Sequence, residues 1–205
     1  GVFVKIIVVI FFLTIVLLFI QFFLAGFVSK KNPFRLFRNM LPAYMTALGT
    51  QSSAATIPVT LEQSIKNGVN RELAAFVIPL CATIHLSGST MKIVACAMAI
   101  MLMSSMPISF GMMAGFIFML GIAMVAAPGV PGGAIMAALG LLQSMLGFDE
   151  TAQGLMIALY IAMDSFGTAC NVTGDGAIAV IMDRINRNSK HVGTREELEE
   201  VAVIE

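Results

Sequence analysis

Long apolar runs organise this chain, each closed by charges or opened by a short polar patch. Val2 to Val28 is apolar apart from Lys5, Thr14 and Gln21, and a bilayer span needs only about 20 residues. The run is too long for a signal-peptide core and carries no cleavage-site pattern, so residues 1–29 read as a span. Residues 33–68 are less hydrophobic and are broken at Gly49–Pro58, where small hydroxyl residues and a proline predict two half-helices joined by a polar tip. Residues 71–104 read as a second span, interrupted by His85–Ser89. Residues 107–147 repeat the hairpin pattern, with apolar arms around Ala127–Gly133. A last span, residues 150–183, is interrupted at Cys170–Gly176, and a charged tail, residues 184–205, follows. The expected fold is an all-α polytopic membrane protein, transmembrane helices plus two re-entrant helical hairpins in an inverted repeat with broken helices.

Composition narrows the class. Of 205 residues, 58% are hydrophobic and 12% charged, the latter about half the usual globular share. That balance excludes a soluble domain, disorder, a coiled coil and a disulfide scaffold. Lys plus Arg and Asp plus Glu number twelve each, so no nucleic-acid partner is implied. Cys81, Cys96 and Cys170 lie in apolar stretches without metal-site spacing and read as small hydrophobes. The chain begins at Gly1 and runs directly into apolar sequence, as expected of a fragment lacking N-terminal spans.

Charge placement sets an expected orientation. Ten of the twelve Lys and Arg follow the first span, flank the first hairpin or lie in the tail; Lys5 and Lys92 are the exceptions. The connections Ser104–Ser109 and Gly147–Glu150 contain none. By the positive-inside rule the first hairpin enters from the cytoplasm, the second from outside, and the C-terminus is cytoplasmic. A thiol placed at Asp149 is then expected to label from outside, and one at Lys190 is not.

The two halves share an order: a hairpin with a small-residue tip, then a span broken by a polar motif. Aligning the motifs sets His85-Leu86-Ser87-Gly88-Ser89 against Asn171-Val172-Thr173-Gly174-Asp175. Interrupted apolar segments in matching places of two inverted halves mark the binding site of a secondary transporter. Unwound backbone in lipid costs several kcal/mol per unpaired group unless it lines a protein-buried or hydrated cavity. One such break alone is also what small-residue helix packing produces; four in order favour a carrier, and a channel is the rival.

Asp164 and Asp175 are carboxylates inside a span, each costing about 2.5–3.5 kcal/mol at the bilayer centre. Asp164, Thr168 and Asn171 follow i, i+4, i+7 spacing, one helix face. Lys92 requires a counter-charge if buried, Asp164 or Asp175, unless it snorkels to the interface. His85, Ser87, Ser89 and Asp164 do not make a hydrolase: the histidine and serines fall within about one helical turn, with no oxyanion arrangement.

Asn171–Asp175 (NVTGD), Gln51–Thr60 (QSSAATIPVT) and Gly129–Gly133 (GVPGG) resemble the glutamate-transporter family, the dicarboxylate/amino acid:cation symporters. The likeness covers essentially the whole chain, as that family's sixth to eighth spans with both hairpins, its first five spans being absent. The resemblance implies a homotrimeric carrier in the inner (plasma) membrane whose transport domain moves as an elevator, coupled to Na+. It also implies site residues. Asp164 takes the substrate ammonium, Thr168 and Asn171 hold its backbone end, Ser52 and Ser53 meet its carboxylate, and Gly129, Val130, Pro131 and Gly132 form the lid. Asn171 and Asp175 match a sodium site, and Thr83, His85, Ser87 and the Cys81 backbone carbonyl are the further cation ligands.

Three positions depart from the family pattern. The seventh-span motif NMDGT is here HLSGS, so His85 and Ser87 replace an Asn and an Asp. This predicts fewer coupled sodium ions, with H+ entering through His85, whose unperturbed pKa is about 6.5. Lys92, one turn beyond Ser89, stands where an apolar residue is usual and is expected near the vacated cation position. The substrate-selecting Arg falls at Gly167, and the Arg that some relatives carry on the first tip is Gln51. Space beside Gly167 predicts a neutral amino acid: serine, threonine, alanine or a larger polar one. The alternative is a dicarboxylate or acidic amino acid paired with Lys92 or with an Arg from the absent spans.

Overall fold

The computed structural model describes residues 2–204 and the side-chain surroundings of residues 4–188, and all its regular elements are helices. In order they are α1 (Val2–Ser29), α2 (Pro33–Thr50), α3 (Ser53–Lys66), α4 (Arg71–Ile84), α5 (Ser87–Met103), α6 (Phe110–Met124), α7 (Gly133–Leu146), α8 (Glu150–Ala162) and α9 (Asp164–Ile204). Among these residues, Val4–Ser29 and Arg71–Met103 are long and apolar enough to cross a membrane, and α8 with α9 makes a third candidate, bent by 60°. Helices α6 and α7, of 15 and 14 residues, reach only about 20 Å at 1.5 Å per residue, short of the roughly 30 Å hydrocarbon core. Neither arm of this hairpin is long enough to cross by itself.

Local sequence explains the boundaries. Asn32 Oδ1 accepts from the backbone N–H of Phe34 and Arg35, and Pro33 opens α2. Ser52, Asn70, Ser109 and Asp149 cap α3, α4, α6 and α8 in the same way. Leu86 and Gly132, the residues that precede α5 and α7, offer no side-chain cap. Both uncapped ends open at the site described below.

Two apolar cores hold the elements together. One joins α5, α6, α7 and α8 through residues such as Ile93, Phe116, Leu120, Leu142 and Tyr160. The other joins α1, α2, α4 and α9 through Phe22, Met40, Ile78 and Val172. At the end of α1, Lys31 Nζ donates to the Asn67 carbonyl at 2.6 Å, beyond the C-terminus of α3, where a cation meets the negative end of the helix. Burial pushes the Lys31 pKa below the ordinary lysine value, and nearby Asp183 opposes that shift. Asp183 also accepts from Asn70 N at 2.9 Å and pairs with Arg187 at 2.8 Å, tying the α3–α4 turn to α9.

One boundary differs from the sequence reading. Cys170–Gly176 is not a break: it lies inside continuous α9, wholly buried, and the bend falls at Met163. The small residues there serve close packing. A Cβ on Gly174 would lie 2.7 Å from Gln21 Oε1, and one on Gly176 would lie 2.5 Å from Met40. The other break is narrower than the polar motif suggests, only His85–Leu86, with Ser87–Ser89 already helical. The halves therefore match as hairpin plus broken helix, but Asn171–Asp175 is not the counterpart of His85–Ser89. Helix α9 carries through the start of the expected tail; the surroundings of residues 189–205 lie outside the described residues.

Candidate functional site

Four helix N-termini converge on one small cavity. It is lined by Ser53 of α3, Ser89 of α5, Ala134 of α7, and Asp164 and Thr168 of α9, with Gln51, Gly129 and Asn171 beside them. Each helix N-terminus carries roughly half a positive charge, so their convergence favours anionic groups. The cavity volume is about 10 Å³, room for about one water molecule. The hairpin tips close it: Gly129 O accepts from Ser52 Oγ at 2.9 Å and from Ala54 N at 3.2 Å. Gly132 N donates to Asp164 Oδ2 at 2.8 Å, a bond set up by the left-handed backbone at Gly132 (φ 73°). Admitting a molecule of amino-acid size therefore requires these three bonds to part.

Asp164 is the electrostatic centre. It is buried, and its other oxygen lies 3.1 Å from Lys92 Nζ. Lys92 is 0% exposed; it also donates to Met163 O at 3.2 Å and sits 3.5 Å from the Tyr160 ring centroid. Snorkelling is thereby excluded. Two sequence expectations change. The space beside Gly167 is filled, because a Cβ there would lie 3.0 Å from Lys92 Nζ. Lys92 also points to Asp164, not to the vacated cation position, because the α5 turn that carries it faces the Met163 bend.

Asn171 is fully engaged. Its Oδ1 accepts from Gly88 N at 2.8 Å and Ser89 N at 3.3 Å, and its Nδ2 donates to Ser89 Oγ at 2.9 Å. It supplies from α9 the cap that Leu86 does not give α5. Gly88 permits the approach, since a Cβ there would lie 2.6 Å from Cys170 Cβ. Thr168 sits on the same α9 face, its hydroxyl donating to Gln51 O at 3.5 Å. Asp164, Gly167, Thr168, Asn171, Ser52, Ser53, Gly129, Val130 and Gly132 thus come together, while Pro131 lies on the exposed side of the second tip.

The expected cation ligands only partly assemble. His85 Nδ1 lies 2.8 Å from Asp175 Oδ1. Gln21 Nε2 lies 3.2 Å from His85 Nε2 and donates to Ser87 Oγ at 3.1 Å. Gln21 Oε1 is the one buried side-chain polar atom without a partner among the described residues. Turning that amide would give Oε1 both Ser87 and a protonated His85 Nε2 as donors, so amide orientation and imidazole protonation are linked. Thr83 is on the exposed face of α4 with its hydroxyl bonded to Leu80 O, and the Cys81 carbonyl accepts from His85 N. Those two do not join the cluster, because α4 stays helical up to Ile84 and uses both groups internally. The described residues contain no group of three His, Cys, Asp or Glu side chains placed to hold a metal ion. Gln21 was legible only as a polar interruption of an apolar span, and Tyr160 carried no signal.

Broken helices, opposed hairpin tips and buried charge at a small cavity are the features that mark binding sites in secondary transporters. The comparisons identify the kind: residues 1–185 match the Sodium:dicarboxylate symporter family, and the chain belongs to that family. The chain is 34% identical over 171 residues to Excitatory amino acid transporter 5 of Homo sapiens, covering 83% of this chain and 30% of that protein. It is 32% identical over 164 residues to Excitatory amino acid transporter 1 of Rattus norvegicus, covering 78% of this chain and 30% of the relative. For the Excitatory amino acid transporter of Caenorhabditis elegans the identity is 32% over 157 residues, 75% and 31% of the two chains. The chain thus spans about a third of the length of these relatives. These relatives are transporters by name, not enzymes.

Proposed function

We propose that this chain is the substrate-binding part of a sodium-coupled symporter in the plasma membrane that takes up an acidic amino acid or a related dicarboxylate. The observation that carries the substrate class is Lys92, whose ammonium fills the space over Gly167 beside the cavity. An unpaired buried carboxylate costs several kcal/mol, so a substrate with two carboxylates needs two positive regions. The helix ends at Ser52–Ser53 and Gly132–Gly133 provide one, and Lys92 the other. The substrate ammonium goes to Asp164, which releases Lys92 as it does so. The names of the relatives agree with an acidic substrate. The neutral reading, serine, threonine or alanine, needs open space beside Gly167, and Lys92 takes it up.

Competition decides between them. In the full-length protein, L-aspartate and succinate are expected to inhibit uptake at concentrations at least tenfold lower than serine, threonine or alanine. Inhibition by the neutral amino acids alone would make the carrier a neutral one. Expulsion of water and lid closure precede translocation in this reading, and the assembly is a trimer whose transport domain moves as an elevator.

The proposed orientation puts the α7–α8 connection outside and the C-terminus inside. Cys81, Cys96 and Cys170 are buried, so a background without them is reached by small replacements. A single cysteine at exposed Glu150 is expected to react with an impermeant maleimide on intact cells, whereas one at exposed Asn188 reacts only after permeabilisation. Glu150 serves better than Asp149, whose carboxylate caps α8 through Ala152 N at 2.8 Å. The reverse labelling pattern would invert the topology.

A further inference from the structure

We propose that Lys92 is a built-in counter-ion for Asp164 that lets the unloaded carrier cross the membrane without taking up any other cation. The inference rests on the symporter reading but not on the acidity of the substrate.

A symporter that accumulates its substrate must return empty. During that step Asp164 stays in a water-poor site on the moving part. An uncompensated carboxylate there resists transfer through the low-dielectric interior, whereas a paired one is far less costly. In this structure the cavity admits no more than about one water molecule and Asp164 is fully compensated from within. Oδ1 lies 3.1 Å from Lys92 Nζ and Oδ2 accepts from Gly132 N at 2.8 Å. The ammonium is held in turn by Met163 O and the Tyr160 ring, on α8 and its junction with α9. The same contacts that neutralise the aspartate also close the lid through Gly132. An empty, closed, neutral site is thus available without an added ion.

The groups around the pair bear this out. Ser89 and Gly167 face Lys92, and Asn171 and Thr168 line the cavity, none of them charged. The other buried carboxylate of the helix, Asp175, is matched separately by His85. Substrate binding exchanges partners: the substrate's ammonium replaces Lys92 on Asp164, and Lys92 turns to the substrate's carboxylate. The loaded site then differs from the unloaded one only by the substrate's own net charge, a single negative charge for aspartate.

The full-length protein in liposomes tests this under an inward sodium gradient. Net uptake of labelled aspartate into substrate-free vesicles is compared with exchange into aspartate-loaded vesicles, with luminal potassium present or replaced by choline. The wild type is expected to keep its net-to-exchange ratio within about twofold after the replacement. Lys92→Met at saturating aspartate lowers that ratio at least tenfold, and Lys92→Arg restores most of it. Loss of wild-type net uptake in choline, or an unchanged ratio in Lys92→Met, overturns the proposal. Should Lys92→Met fold poorly or bind too weakly for exchange to be seen, the wild-type comparison decides alone. A carrier that transports serine and not aspartate sinks the acidic-substrate reading and leaves this test intact, with serine as the label.

Discussion

Asn171→Ala is expected to destabilise the folded protein by roughly 2–5 kcal/mol, because it strips the cap from a buried helix end. The amide of Asn171 accepts from two backbone N–H groups in the first turn of α5 and donates to Ser89 Oγ. Leu86 provides no substitute, and Asn171 is 1% exposed, so no bulk water reaches the orphaned donors. Each buried donor left without a partner costs about 1–3 kcal/mol. Reversible unfolding of the purified full-length protein in detergent measures the loss. A change below about 0.5 kcal/mol, the range of ordinary surface substitutions, would show that the cap is dispensable. The result also bears on transport. The resemblance gives Asn171 a substrate contact and a sodium contact, yet here its oxygen is occupied by α5. Any ligand held by Asn171 must share that oxygen or displace the end of α5, so ligand binding and the position of the broken helix are coupled through this residue.

The architecture was legible because lipid imposes strong rules on sequence. Apolar runs, closed by Lys30 and Lys31 or opened at Ser52 and Gly132, marked where most of the helices begin and end. What misled was the meaning of small residues. In Cys170–Gly176 the glycines read as a place where helix α9 unwinds, but they are where Gln21 and Met40 press against it. A glycine that permits a turn and one that permits close packing look the same in one dimension. The actual bend at Met163 has neither glycine nor proline, so no local signal marks it. Side-chain reach was the other gap. Lys92 lies 72 positions from Asp164 and could have been placed near either buried aspartate; only the packing of α5 on α8 and α9 decides. For the site residues, spacing along α9 correctly grouped Asp164, Thr168 and Asn171. It could not show that Thr83 faces away while Gln21, from a different helix, faces in.

The double replacement His85→Asn with Ser87→Asp is expected to add a coupled sodium ion to the transport cycle. Sodium is a hard cation that prefers several oxygen donors. The wild-type cluster offers few. Asp175 is matched by His85 at 2.8 Å, and the Ser87 hydroxyl accepts from Gln21 at 3.1 Å. The imidazole thus stands where a cation would sit, and it presents nitrogen where the family pattern presents a carboxamide oxygen. The two replacements supply that oxygen and a second carboxylate, while removing the group that Asp175 now pairs with. Two carboxylates in the cluster that Gln21 and His85 link in the wild type favour cation entry over leaving both charges unpaired. Aspartate uptake should then depend more steeply on sodium concentration at constant ionic strength. The sodium gradient needed to balance a fixed substrate gradient should fall accordingly. Ser87→Asp alone leaves His85 in place and should change neither quantity much, since the imidazole still occupies Asp175 Oδ1. If the double variant transports with unaltered sodium stoichiometry, the imidazole is not what keeps sodium from that position, and sodium reaches Asp175 by another route.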